Sequence, residues 1–181
     1  MAISTFNLAT DQRAARKLLI TVIEWADPNG SITVDGEKVE RAICGKRTPD
    51  SSVEYNTDSE DSTDILGINY HDVNKTQPSQ SFDPHLILGG DKFGEKLNDI
   101  RKRNALTELS QFTVYLITAF VGDSTNGYEA EKHVNCTVEY DSIGGEDNVN
   151  FPYTVYYSND ITNGTVNKLS TDFTFTPDVS L

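Results

Sequence analysis

The chain has 181 residues, 28 of them acidic and 15 basic, for a formal charge of −13 at neutral pH. A length of this order makes one domain and buries roughly 70% of its extended surface on folding, so a core forms without staples. The excess of acid repels phosphate backbones and anionic bilayers, which argues against a conventional nucleic-acid or membrane-surface binder.

Met1 to Arg13 is polar with scattered apolar side chains and reads as an arm. It has neither a basic leader nor an apolar run of secretory length, which predicts synthesis and folding in a cytoplasm. Leu18 to Trp25 (LLITVIEW) is dense in β-branched and aromatic residues and is expected to be a strand, closed by the turn Asp27-Pro28-Asn29-Gly30. Ile32–Val34 and Lys38–Cys44 flank Asp35-Gly36, the signal of a tight hairpin. Residues 47–64 then carry Asp50, Glu54, Asp58, Glu60, Asp61 and Asp64 after Arg47, with Val53 and Tyr55 as the apolar exceptions. This predicts a long acidic loop, and structureless loops of that length inside a domain are usually functional or disordered.

Ile65–Val73 and Thr76–Phe82 read as extended segments. Gly89-Gly90-Asp91 opens a helix with Asp91 as its N-cap and Phe93, Leu97 and Ile100 as one apolar stripe. Arg101, Lys102 and Arg103 crowd its last turn, where cations complement the helix dipole, and Asn104 is the expected stop. Phe112–Val121 is apolar throughout, as a strand buried on both faces should be. His133–Tyr140 alternates, which predicts Val134, Cys136, Val138 and Tyr140 inward and His133, Asn135, Thr137 and Glu139 on a polar face. Cys136 is therefore expected to be a buried thiol. Phe151–Ser158, Thr165–Leu169 and Asp172–Thr176 complete about eight strands. The expected fold is mainly β: two packed antiparallel sheets, a β-sandwich or partial barrel, with one flanking α-helix, in a single domain over 1–181.

Catalytic signatures are missing from the sequence. His71, His85 and His133 lie in separate segments, and neither zinc, nucleophile-elbow nor phosphate-loop motifs occur. The expectation is a protein that is not an enzyme and that uses no cofactor and no metal.

The acidic insertion Ser51–Asp64, the segment Asp64-Ile65-Leu66-Gly67 and the segment Ser79-Gln80-Ser81-Phe82-Asp83-Pro84 precede the helix Asp91–Arg103 and the strands from Phe112. In this order and texture the chain resembles the major tail-tube protein of long-tailed, siphovirus-like bacteriophages, a family related to the type VI secretion tube protein. The stretch after the helix is short, so the appended immunoglobulin-like domain of some relatives is not expected in it. The resemblance implies homo-hexameric rings that stack into a hollow tube in the virion, with double-stranded DNA passing through the lumen unbound. It further implies the tape-measure protein, tail terminator and distal tail protein as partners. Carried onto this chain, it makes Arg47, Asp50, Glu54, Tyr55, Asp58, Glu60, Asp61 and Asp64 inter-ring contacts, and Asn135, Thr137 and Glu139 lumen-facing residues. Arg101, Lys102 and Arg103 are candidates for pairing with an acidic neighbour. Two other readings remain open from the sequence. One is a terminator or head–tail joining ring. The other is a carbohydrate-binding sandwich with Trp25, Tyr153, Tyr156 and Tyr157 as stacking platforms.

Overall fold

A computed structural model describes residues 5–178. These form twelve strands and one α-helix, with short 3₁₀ turns at Arg16–Leu18 and Leu106–Ser110. Strand β1 (Leu19–Ala26) lies between β3 (Glu37–Ile43) and β8 (Phe112–Asp123), antiparallel to both. Strand β2 (Ile32–Val34) closes onto β3 through Asp35 and Gly36, whose φ values of 50° and 88° are the two positive angles that a type I′ turn needs.

Strand β9 (Gly127–Tyr140) organises the rest. It pairs along one side with β8. On its other side, Tyr128–His133 pair with β11 (Ile161–Val166), and Thr137–Tyr140 pair with β10 (Tyr153–Tyr156). One strand is thus shared by two layers: β2-β3-β1-β8-β9-β11, ending at β12 (Phe175–Pro177), and β9-β10-β7-β4, where β7 is Ser79–Phe82 and β4 is Val53–Glu54. The change of layer falls at a bulge. Phe112 pairs with Cys136 and Val114 with His133, so β9 has one extra residue there, and exposed Asn135 sits in the left-handed region at φ 57°.

The two layers enclose a core in which Ile23, Trp25, Val114 and Leu116 of the first meet Phe82, Val138, Tyr153 and Val155 of the second. The helix α1 (Lys92–Arg103) seals it with Phe93, Leu97 and Ile100. As its sequence predicts, Asp91 caps the helix by accepting from Gly94 N at 3.0 Å, and left-handed Asn104 ends it. Beyond the first layer lies a second core of Val22, Tyr115, Ile117, Ala130, Val166 and Phe173, covered by residues 167–175. Strand β8 therefore is buried on both faces, which explains its unbroken apolar run. Into this outer core is folded an ion pair, Arg41 Nε to Glu24 Oε2 at 2.6 Å, with both side chains almost fully buried. The Arg41 guanidinium lies 4.1 Å from the Phe173 ring centroid and donates to the carbonyls of Phe173 (2.7 Å) and Thr171 (3.3 Å), tying residues 171–173 to the sheet.

Two expectations change. Residues 47–64 are not one loop. Residues 47–55 are stitched to the body: Thr48 Oγ1 donates to Pro84 O (2.8 Å), Ser51 Oγ to Ser81 O (2.7 Å), and Val53–Glu54 pair with β7. Asp58–Thr63 form strand β5, paired with β6 (Asn69–Lys75), so Ile65–Ile68 belong to a turn and not to a strand. His133 is also not on the polar face of β9. It is 3% exposed, its Nδ1 lies 3.0 Å from Ser158 O, and its ring packs edge-on to Tyr157, because the bulge resets the alternation between positions 133 and 136. In the expected arm, Phe6 bridges to Val121 and meets the Phe120 ring at 5.5 Å, and Asn7 N donates to Phe120 O at 2.9 Å. Residues 1–4 of that expected arm lie outside the described residues.

Candidate functional site

The surface that stands out is the β5–β6 hairpin. Its two strands pair only with each other, and every residue in them is exposed. At ~3.4 Å per residue the hairpin reaches roughly 20 Å beyond its base. The base is anchored where Gln77 N donates to Tyr55 O at 3.0 Å and Asn56 Nδ2 donates to Ser79 Oγ at 2.8 Å.

The tip is built by Asp64. Its Oδ1 accepts from Leu66 N (2.8 Å) and Ile68 N (2.9 Å), Tyr70 OH donates to its Oδ2 (3.2 Å), and Gly67 supplies the positive φ of the turn. Those bonds, led by the Ile68 amide, hold the Asp64 carboxyl below its usual range. The geometry thrusts Ile65 and Leu66 outward at 103% and 78% exposure, with Ile68, Tyr70 and Val73 also exposed behind them. Along the strands, Asp61 meets His71 at 2.6 Å, while Glu60 faces Asp72 directly, a like-charge pair that weakens the hairpin. An isolated two-stranded ribbon with no buried face is marginal in water.

Of the expected inter-ring residues, Asp58, Glu60, Asp61 and Asp64 are on this hairpin, and exposed Tyr55 is at its root. Arg47, Asp50 and Glu54 are exposed on the stitched segment before it. The apolar tip escaped the sequence reading, which took Ile65 onward as the start of a strand. The available signal was the pairing of Asp64 with Gly67, a turn capped by its own side chain.

The basic cluster divides. Arg103 is held inside the subunit, at 2.7 Å from Asp99 and 2.8 Å from Glu108, and Glu108 also takes Lys96 at 2.7 Å. The guanidinium of Arg103 and then the Lys96 ammonium pull the Glu108 carboxyl down to about 2. Arg101 donates to Asn98 Oδ1 (2.9 Å). Among the described residues, Arg101 and Lys102 form no ion pair.

Asn135, Thr137 and Glu139 lie on the face of the second layer that turns away from the core. Thr137 pairs with Tyr156 and Glu139 with Thr154, and Ser79, Ser81 and Glu54 continue this polar face across β7 and β4. Glu139, alongside Tyr156, pushes that phenol above its ordinary value. Of the aromatic residues weighed for sugar stacking, Trp25, Tyr153 and Tyr157 are 5%, 1% and 5% exposed, consumed by the core; Tyr156 alone reaches the surface.

A scan of the chain against protein-family models finds no match, and a search of curated proteins returns none.

Proposed function

We propose that this protein is a structural, non-catalytic subunit of a tail tube: six copies close a ring, and rings stack into a hollow conduit for double-stranded DNA. The observation that carries this reading is the β5–β6 hairpin. It spends chain on a projecting ribbon with an apolar tip and no partner within the described residues. Such a ribbon is stabilised when a second copy covers it, and an identical copy is the partner that a repeating assembly always supplies.

The acidic charge fits the same use, since walls that repel phosphate let DNA slide without adhering. The polar outward face of Asn135, Thr137 and Glu139 suits a water-filled lumen. In this reading the protein is made in a bacterial cytoplasm and ends in the virion, in contact with tape-measure, terminator and distal tail proteins. Burial of Trp25, Tyr153 and Tyr157 takes away the stacking platform that a sugar-binding sandwich needs.

Negative-stain electron microscopy of the purified chain over a range of concentrations tests the proposal. Hollow tubes of uniform width with a regular axial repeat are expected. Discrete rings that never stack point to a terminator or joining protein, and monodisperse single subunits at every concentration overturn the assembly reading.

A further inference from the structure

A cavity of about 320 Å³ opens between β3, the start of α1 and the loop before it, unconnected with the surfaces above. Exposed Lys46, Gly89 and Gly90 stand at its mouth, and His85, Asp91 and Tyr153 are among the residues that line it. Its volume is at the lower end of small-molecule sites, which run roughly 300–1,000 Å³.

Three polar groups at this cavity are buried without a well-aligned hydrogen bond. The hydroxyl of Tyr153, 1% exposed, has the weakly bonding Cys44 thiol beside it; the ring of His85, 7% exposed, and Asp91 Oδ2 approach each other off-axis, while Asp91 Oδ1 caps the helix. The groups are neighbours. The His85 and Tyr153 rings meet edge-on at 5.0 Å, and His85 Nε2 is 2.9 Å from Asp91 Oδ2 without the alignment of a hydrogen bond. Leaving a buried polar group unsatisfied costs about 1–3 kcal/mol, and these groups satisfy one another only in part, which marks a place where a ligand can supply better partners than the fold does.

Their chemistry limits the ligand. Burial opposes ionisation of Asp91, but the His85 ring and the Gly94 and Phe93 amides outweigh it and hold the carboxyl below its usual range. At neutral pH it is therefore a carboxylate that only accepts. Burial raises the Tyr153 phenol well above its ordinary value, so it keeps its proton and donates. Burial also pushes the adjacent Cys44 thiol up to about 12, leaving it uncharged and at most a weak partner. The occupant must then offer a donor to Asp91 beside an acceptor for Tyr153; Glu40, Arg41, Lys46 and Lys92 also line the cavity, and Ile43, Leu86, Leu88 and Phe93 are available for an apolar body.

We infer that this cavity is a binding site for a small uncharged molecule bearing a primary amide, whose NH₂ donates to Asp91 and whose carbonyl accepts from Tyr153. Benzamide is the probe. Added to ¹⁵N-labelled protein, it shifts the amides of Gly89, Gly90 and Lys92 saturably, with a dissociation constant on the order of millimolar, as nine heavy atoms permit. N,N-dimethylbenzamide and benzoate, neither of which has an N–H to donate to Asp91, bind at least about fivefold more weakly. Tyr153→Phe keeps the ring stacked on Phe82 at 5.0 Å and weakens benzamide about fivefold while the spectrum remains that of a folded protein. Three results overturn the inference: no saturable shift from benzamide at ~10 mM, benzoate binding as well as benzamide, or binding untouched by Tyr153→Phe.

Discussion

Replacing Arg41 with Met removes the only cation that reaches Glu24 among the described residues. The methionine stem still fills most of the volume beside Phe173, so the change isolates charge and hydrogen bonding from packing. Glu24 keeps a single direct polar contact of any strength, the Tyr115 hydroxyl at 3.3 Å, and remains 6% exposed. Breaking one side of a buried pair costs about 3–5 kcal/mol, because the remaining charge is left without compensation. The Phe173 carbonyl also loses its 2.7 Å donor, and the cation–π contact to that ring disappears. Arg41→Met should therefore lower stability by about 3–5 kcal/mol, or by about 10 °C in Tm for a chain of this size. Urea denaturation followed by tryptophan fluorescence reads this loss, since Trp25 lies on the same strand as Glu24. The double variant Glu24→Leu with Arg41→Met has no stranded charge and should recover about 2–3 kcal/mol of it. A loss below ~1 kcal/mol in the single variant, or a double variant no better than the single, would refute the claim that this pair locks residues 171–173 onto the sheet.

Replacing Asp58–Lys75 by a short Gly-Ser linker should cost less than ~1 kcal/mol, since the hairpin buries nothing on its own chain, and should abolish tubes in electron micrographs. Circular dichroism checks that the body is intact; normal tubes would sink the docking role of the hairpin. The excision must begin after Thr57, because Ser51 and Val53–Glu54 belong to the body. Glu108 has its carboxyl lowered from an ordinary 4.5 to about 2, so the stability it contributes is present above pH ~4.5 and fades as pH falls toward 2. With the site partly solvated the effect is at most about 1 kcal/mol, and Glu108→Gln should flatten the acid limb of a Tm-versus-pH curve by that amount, less so in high salt. At the bulge, Asn135→Val should destabilise by about 1–2 kcal/mol because a β-branched residue resists φ 57°, whereas Asn135→Gly should be neutral or slightly stabilising. Thermal melts of the two variants decide this, and equal melts would mean that the bulge relaxes.

Local chemistry was legible in the sequence by itself. Asp35-Gly36 fixed a hairpin because few residue pairs tolerate two positive φ angles, and Asp91 with Asn104 bounded the helix because those side chains satisfy the helix ends. The apolar run of β8 announced burial on both faces, since no polar position was left for water. The choice of partners was decided only in three dimensions. Strand β9 divides its edge between β10 and β11, and the extra residue near Asn135 that makes this possible moves His133 from the expected surface into the core. Alternation counts residues along one strand and cannot see a register shift imposed by its neighbour. The acidic stretch looked like a loop because it carries almost no apolar side chains, yet pairing of Asp58–Thr63 with Asn69–Lys75 gives it backbone hydrogen bonds that no side-chain pattern encodes. Nothing in the sequence marks Glu24 and Arg41 as a buried pair, and only the folding of residues 171–173 over them closes water out. The sequence determined which turns and caps the chain could make; the tertiary pairing determined which side chains those turns bring together.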